Sequence, residues 1–330
     1  MRRYLWIAAI VVAAVTGGWW LGRGTATSRG SVIAESADAD SGNSNTNALS
    51  NVSKHSAAHV QVNTSTNTTR ALKLLPPPGT PLKQIFDELK ARADAGDVQA
   101  ASRLYHDLSI CSGARAAIRS NTLRAENILG ARNKTNPVGV QQEQLDIAQR
   151  LVKGSEILKA LCVDVSSNMM GTLAAVSLEA AQLGDSAARD CYVHRGPSMS
   201  PGSLVSDPSS VETYREQAPA LVDSAMAAGD WKMVDMLQYA YGPSGTNLIS
   251  GLVGPDPVQH YRYLKLFRLG ADGYRIPALD QQLAFAATQL NAQQLADADI
   301  WAQAMQQAYF KGSSTGAVPE NWNACAIPSE

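Results

Sequence analysis

Near its N-terminus the chain contains eighteen consecutive uncharged and mostly apolar residues, from Tyr4 to Leu21. A helix needs about 20 such residues to cross a bilayer, so this run predicts a transmembrane helix. Two arginines precede the run and two tryptophans end it, which is typical of a signal anchor with a cytoplasmic N-terminus. We therefore expect residues 1–23 to anchor a single-pass inner membrane protein whose remaining residues are periplasmic or otherwise extracytoplasmic. A cleaved signal peptide is the alternative, with a weak cleavage motif at residues 24–26.

Residues 24–79 show no hydrophobic period. They contain no aromatic residue and no cysteine, and 21 of the 30 residues from Ser41 to Arg70 are Ser, Thr, Asn, Ala or Gly. Such a segment cannot bury enough apolar surface to offset the entropy that ordering would cost. The sequence therefore predicts a disordered tether, which ends in the stiff run Pro76-Pro77-Pro78-Gly79.

From Thr80 onward the apolar positions follow the period of an α-helix. Leu82, Ile85, Phe86 and Leu89 are spaced at i, i+3, i+4 and i+7, and the segment from Val98 to Leu108 repeats this stripe. Thr80 and Pro81 predict an N-cap followed by a proline at the first helical position. Strand patterns are absent from the sequence, so we expect residues 80–330 to form an all-α domain.

A Gly-Asp pair recurs along this domain, at Gly96-Asp97, Gly184-Asp185 and Gly229-Asp230. A glycine can adopt the left-handed conformation that ends one helix, and an aspartate can cap the next. The pairs are separated by multiples of about 44 residues, a period typical of stacked helix pairs. Gly139 and Gly273 lie near the two further positions that this period predicts, although neither is followed by aspartate.

The residues from Ala93 to Tyr105 combine an Ala-x-x-Gly-Asp turn with the pattern x-x-Ala-x-x-Leu-Tyr. This combination resembles the Sel1-like branch of the tetratricopeptide-type repeats, with one good copy in 82–108 and fragments around Gly184 and Gly229. The resemblance implies a right-handed superhelix of stacked helix hairpins that contacts other proteins and has no chemistry of its own. Polar loops expected at 195–209 and 243–256 depart from the pattern, and an unrelated helical bundle is the alternative.

Four cysteines follow the expected anchor: Cys111, Cys162, Cys191 and Cys325. An even number of cysteines in an oxidising compartment favours two disulfides, for which the sequence allows three connectivities. We favour Cys111 with Cys162, because we expect each to end a helix and a helical excursion to return the chain between them. By exclusion, Cys191 would then pair with Cys325.

Candidate catalytic motifs are weak. Residues 312–316 match G-x-S-x-G, but the motif needs a preceding strand and a later histidine, and His260 is the last histidine. Cys191 and His194 have a metal-like spacing but supply only two ligands. We therefore expect no catalysis, cofactor or metal, and no small-molecule substrate is identifiable.

The net charge of the chain bears on nucleic acid as a partner. Four of the 28 basic residues and none of the 29 acidic residues precede residue 31, so the rest of the chain carries a charge of −5. This negative charge disfavours nucleic acid as a partner.

Aromatic residues are concentrated between 231 and 267. Helical spacing places Trp231 and Tyr261 in the expected core, whereas we expect Tyr241 and Tyr263 to reach a surface groove and contact a protein partner. The sequence thus predicts a membrane-anchored, exported helical-repeat scaffold or adaptor, with the membrane contacted through residues 4–21. The alternatives are an exported α-helical hydrolase with unrecognised carboxylate chemistry and a secreted binding protein released by signal cleavage.

Overall fold

A computed structural model describes residues 74–131, 136–200, 203–320 and 322–326. The expected anchor and all but the end of the expected tether lie outside these ranges. Within them the chain is helical and contains no β-strand, which confirms the all-α prediction for this part. None of the helices in these ranges combines the length and the apolar character needed to span a membrane.

The helices of the described ranges are numbered here in chain order. They are α1 (Leu82–Asp94), α2 (Val98–Gly130), α3 (Val138–Leu161), α4 (Ser167–Gly171), α5 (Leu173–Gln182), α6 (Ser186–Arg195), α7 (Ser203–Ser206), α8 (Pro208–Ala227), α9 (Trp231–Ala240), α10 (Leu248–Val253), α11 (Pro257–Leu269), α12 (Ile276–Ala287) and α13 (Ala292–Tyr309). Two 3₁₀ turns, Gly196–Met199 and Thr315–Ala317, complete the set. The segments expected as long loops therefore contain short helices, since apolar residues such as Met199 and Ile249 are buried there.

The three Gly-Asp pairs join α1 to α2, α5 to α6 and α8 to α9 with one shared geometry. Gly96, Gly184 and Gly229 have φ of 85°, 105° and 71°, in the left-handed region that favours glycine. After each glycine, the backbone N–H of the aspartate donates to a carbonyl five residues earlier, at 2.9 to 3.1 Å. The same aspartate then caps the following helix with its carboxylate, as when Asp185 accepts from the N–H of Ala188 at 2.8 Å. One dipeptide therefore ends one helix and begins the next.

The expected period does not extend to the other two glycines. Gly139 lies in the first turn of α3, because Pro137 occupies the N-cap and fixes the helix start before it. Gly273 lies in a turn without a positive φ, and the next helix begins after Arg275 without a side-chain cap. Thr80 also differs from expectation, because its hydroxyl donates to the carbonyl of Pro77 and Pro81 takes the N-cap.

α2 and α3 form a long antiparallel hairpin, named here the arm. The sequence predicts that Cys111 ends a helix, but the structure corrects this: Cys111 lies inside the 33-residue α2. The alanine- and arginine-rich sequence after it sustains the helix for a further 28 Å or so. Small buried residues, such as Ala125 and Ala148, let the two helices approach closely. Cys162 caps the end of α3 and is bonded to Cys111, as favoured from the sequence.

The core continues from helix to helix in chain order. α2 packs against α5, α6 against α8, α9 against α11, and α11 against α12 and α13. Trp231 lies at the centre of the later part, with its ring 4.4 Å from that of Phe310 and its indole N–H donating to Ser313 Oγ at 2.9 Å. The disulfide between Cys191 and Cys325 ties the last described residues to α6. This pairing also agrees with the sequence prediction.

Candidate partner-binding groove

A small groove opens where the end of α9, the start of α11 and the end of α12 meet. Its volume is about 150 Å³. The residues that line it are mostly apolar or aromatic: Tyr241, Pro243, Pro255, Pro257, His260, Phe285, Ala286 and Gln289. Tyr241, one of the two residues expected at a partner-binding surface, is therefore part of this groove.

The loop that carries the prolines is held at both ends. The N–H of Asp256 donates to the carbonyl of Tyr241 at 3.0 Å, so the chain returns to the end of α9 before α11 begins. The Asp256 carboxylate then caps α11 by accepting from the N–H groups of Val258 and Gln259 at 2.9 and 3.0 Å. Pro257 occupies the first turn, where its fixed φ suits a helix start. These contacts hold both ends of the segment that forms this wall of the groove.

Two further aromatic rings, those of Tyr263 and Trp301, pack in succession behind Tyr241. The rings of Tyr241 and Tyr263 are stacked with centroids 5.6 Å apart and planes 4° from parallel. The Tyr263 ring meets that of Trp301 edge-on at 5.2 Å. Tyr263 is half-buried and does not line the groove, so it supports Tyr241 from behind. Stacked and edge-on contacts of this kind fix ring positions and add to the burial energy.

Two polar groups of the groove have defined hydrogen-bonding roles. The Nδ1 of His260 lies 2.6 Å from the carbonyl oxygen of Gln238, so Nδ1–H donates to that carbonyl. Burial raises the pKa of the Tyr241 phenol, and the carboxylates of Asp256 and Asp223 raise it further. Tyr241 therefore stays a neutral hydrogen-bond donor at physiological pH.

Phe285 forms the exposed rim of the groove. Its side chain is 68% exposed, whereas the adjacent Ala286 is only 3% exposed. Sequence reasoning missed Phe285 because it lies in an apolar run of α12, where an aromatic residue is expected to be buried. Pro243, Pro255 and Pro257 also line the groove, but they are separated in the sequence and form no local pattern that marks a binding surface.

The other candidate sites remain apart from this groove. Ser314 of the G-x-S-x-G segment follows α13 and accepts from the N–H of Gly316, so it lies in a turn and not between a strand and a helix. Cys191 is bonded to Cys325 and offers no thiolate, and burial lowers the pKa of the neighbouring His194. Within the described ranges, no three His, Cys, Asp or Glu side chains are grouped to hold a metal ion.

The groove thus combines an apolar wall that is held at both ends, a supported tyrosine, an exposed phenylalanine and two polar groups. Such a surface is suited to holding an apolar side chain of a partner while hydrogen-bonding its backbone. Comparison of the chain with protein-family models, with curated proteins and with solved structures finds no match.

Proposed function

We propose that this protein is a membrane-anchored, exported helical scaffold that binds a protein partner through the groove around Tyr241. The observation that carries the proposal is the exposed, preorganised aromatic and proline surface itself. Aromatic residues anchor protein interfaces when they are rigid and accessible, because little side-chain entropy is lost when a partner covers them. Tyr241 is held by the stacked Tyr263 ring, and Phe285 is already exposed.

The chemistry of the groove indicates which part of a partner it accepts. Its volume of about 150 Å³ accommodates one medium-sized apolar side chain. The neutral Tyr241 hydroxyl and the Gln289 amide can meet backbone groups on either side of that side chain. An extended segment with a proline or aliphatic residue satisfies both requirements, as in other aromatic-lined peptide grooves.

The membrane location and the repeat architecture belong to the same proposal. The apolar run from Tyr4 to Leu21 supports an anchor. Two disulfides support an oxidising compartment on the far side of the membrane, because cytosolic thiols are kept reduced. The three equivalent Gly-Asp turns support stacking of the helix hairpins into a right-handed superhelix that displays the groove.

The test compares two serine substitutions in the full-length protein, Phe285→Ser and Ile300→Ser. Both side chains are equally exposed, at 68% and 67%, and they lie on the neighbouring helices α12 and α13, but only Phe285 lines the groove. We expect affinity capture from native membranes to lose a partner with Phe285→Ser and to retain it with Ile300→Ser. Equal recovery with both variants would contradict the proposal, as would a partner lost with Ile300→Ser alone.

A further inference from the structure

A second concave surface lies where the arm joins α6, and its chemistry differs from that of the groove. This cleft has a volume of about 980 Å³ and is walled by α2, α3 and the end of α6. The cysteines of both disulfides line it; one disulfide joins α2 to the end of α3, and the other joins α6 to the segment around Cys325. Apolar side chains form part of its lining, among them Ile118, Leu158, Met170 and Met199.

The charged residues of the cleft all have the same sign. Arg115 of α2, Lys159 of α3 and Arg195 at the end of α6 line it, and no aspartate or glutamate of the described part of the chain does. All three side chains are exposed, and none forms an ion pair or side-chain hydrogen bond with another residue of the described ranges. This concentration of positive charge is unusual in a chain that carries −5 after residue 30.

Carboxylates near the cleft in the sequence do not neutralise it. Asp190 pairs with Arg189 at 3.1 Å, and Asp107 pairs with Arg103 at 2.7 Å. Asp164, two residues after Cys162, is exposed but does not line the cleft. Among the described residues, the three cations therefore have no neutralising carboxylate in the cleft lining, and a concave wall of low dielectric concentrates the resulting positive potential.

We propose that this cleft binds an acidic peptide segment of a protein partner, one that carries carboxylates together with an apolar side chain. Three cations on three different elements suit several spaced carboxylates, and the apolar lining suits an anchoring side chain between them. The volume is at the upper end of the range for small-ligand pockets and is suited to a segment of several residues. The concave shape favours an inserted segment over the flat surface of an anionic bilayer. This site does not depend on the groove around Tyr241.

The test uses a fluorescein-labelled peptide with four glutamates around one leucine, and the full-length protein in neutral detergent. The cleft variant is Arg115→Glu with Lys159→Glu. The matched control is Arg124→Glu with Lys153→Glu, which makes the same charge change on the same two helices at exposed positions outside the cleft. Circular dichroism and non-reducing peptide mapping check that both variants are folded and that both disulfides are intact.

We expect the labelled peptide to bind the unchanged protein, to bind the control within about twofold of that affinity, and to bind the cleft variant at least about tenfold more weakly. A peptide with glutamine in place of glutamate, or alanine in place of leucine, is expected to bind more weakly. Equal weakening in both variants would show a non-specific effect of net charge and overturn the proposal. Absence of peptide binding would also overturn it. So would a protein that binds phosphatidylglycerol vesicles but not the peptide and whose vesicle binding depends on Arg115 and Lys159.

Discussion

Substituting alanine for glycine at the three Gly-Asp turns should separate backbone strain from close packing. At Gly96 and Gly184 an added Cβ would meet no atom within 4 Å, so only the positive φ opposes the substitution. Placing a side chain in the left-handed region costs about 1 kcal/mol, and the lower entropy of the unfolded chain offsets part of that cost. We therefore expect Gly96→Ala and Gly184→Ala each to lower the free energy of unfolding by about 1 kcal/mol or less.

Gly229 has the same backbone conformation but a different environment. An added Cβ would lie less than 3.0 Å from the carbonyl oxygen of Tyr309 and 3.3 Å from its carbonyl carbon. These are backbone atoms at the end of α13, so no rotamer change relieves the overlap. The adjacent Phe310 packs on Trp231, and moving α13 would disturb this contact as well. Overpacking of this kind costs about 1–3 kcal/mol in addition to the strain, so we expect Gly229→Ala to cost about 3 kcal/mol in total.

Urea unfolding followed by circular dichroism measures the difference. Residues 71–330 form one compact unit and provide the chain for this experiment. Gly229→Ala should unfold at a clearly lower urea concentration than Gly184→Ala, with the slope of the transition unchanged. Equal costs at all three positions would refute the close packing of the α8–α9 turn on α13. No cost at any of them would refute the left-handed turns themselves.

Three further predictions concern charge, disulfides and anchoring. Burial, together with repulsion from Asp230, raises the pKa of Asp190 to about 6, so the contribution of this group to stability is full below about pH 4 and is lost as the pH rises through 6. Asp190→Asn should therefore flatten the pH dependence of the free energy of unfolding by about 3 kcal/mol. The same pH dependence in the variant and in the unchanged protein would contradict this reasoning. Replacing Cys191 and Cys325 by alanine should lower the free energy of unfolding by about 5 kcal/mol, and replacing Cys111 and Cys162 should lower it by about 4 kcal/mol, because the bond between Cys111 and Cys162 closes the shorter loop. The reverse order in urea unfolding would contradict the loop argument. Carbonate washing should leave the full-length protein in the membrane fraction, and release of a product beginning near Thr27 would instead indicate a cleaved signal peptide.

Local features of the fold could be predicted from the sequence because they depend on neighbouring residues. The Gly-Asp turns need only a residue that tolerates positive φ and a carboxylate beside it, so the turn at Gly96 and Asp97 can be recognised from these two residues alone. The pairing of Cys111 with Cys162 followed from the expectation of two helices that return the chain. That argument placed Cys111 at a helix end, whereas α2 continues past it, so the pairing was correct although one of its premises was not.

Features that depend on distant parts of the chain were not predictable in this way. Gly139 matches the repeat spacing, but Pro137 starts a helix before it and no turn forms. The groove brings Tyr241 next to Phe285, more than forty residues away, and no local pattern encodes that proximity. The net charge of −5 after residue 30 likewise gives no sign of the cationic cleft, which arises because the fold gathers Arg115, Lys159 and Arg195 from three elements.

Photo-crosslinking in intact cells tests the central claim most directly. A photoreactive phenylalanine analogue replaces Phe285 at the groove rim in one full-length variant and replaces the equally exposed Ile300 in another. If the groove binds a partner, irradiation gives a discrete protein adduct from position 285 and none of that size from position 300, and Tyr241→Ala weakens the adduct. The same adducts from both positions, or none from position 285, would contradict the assignment of the groove as a partner-binding surface.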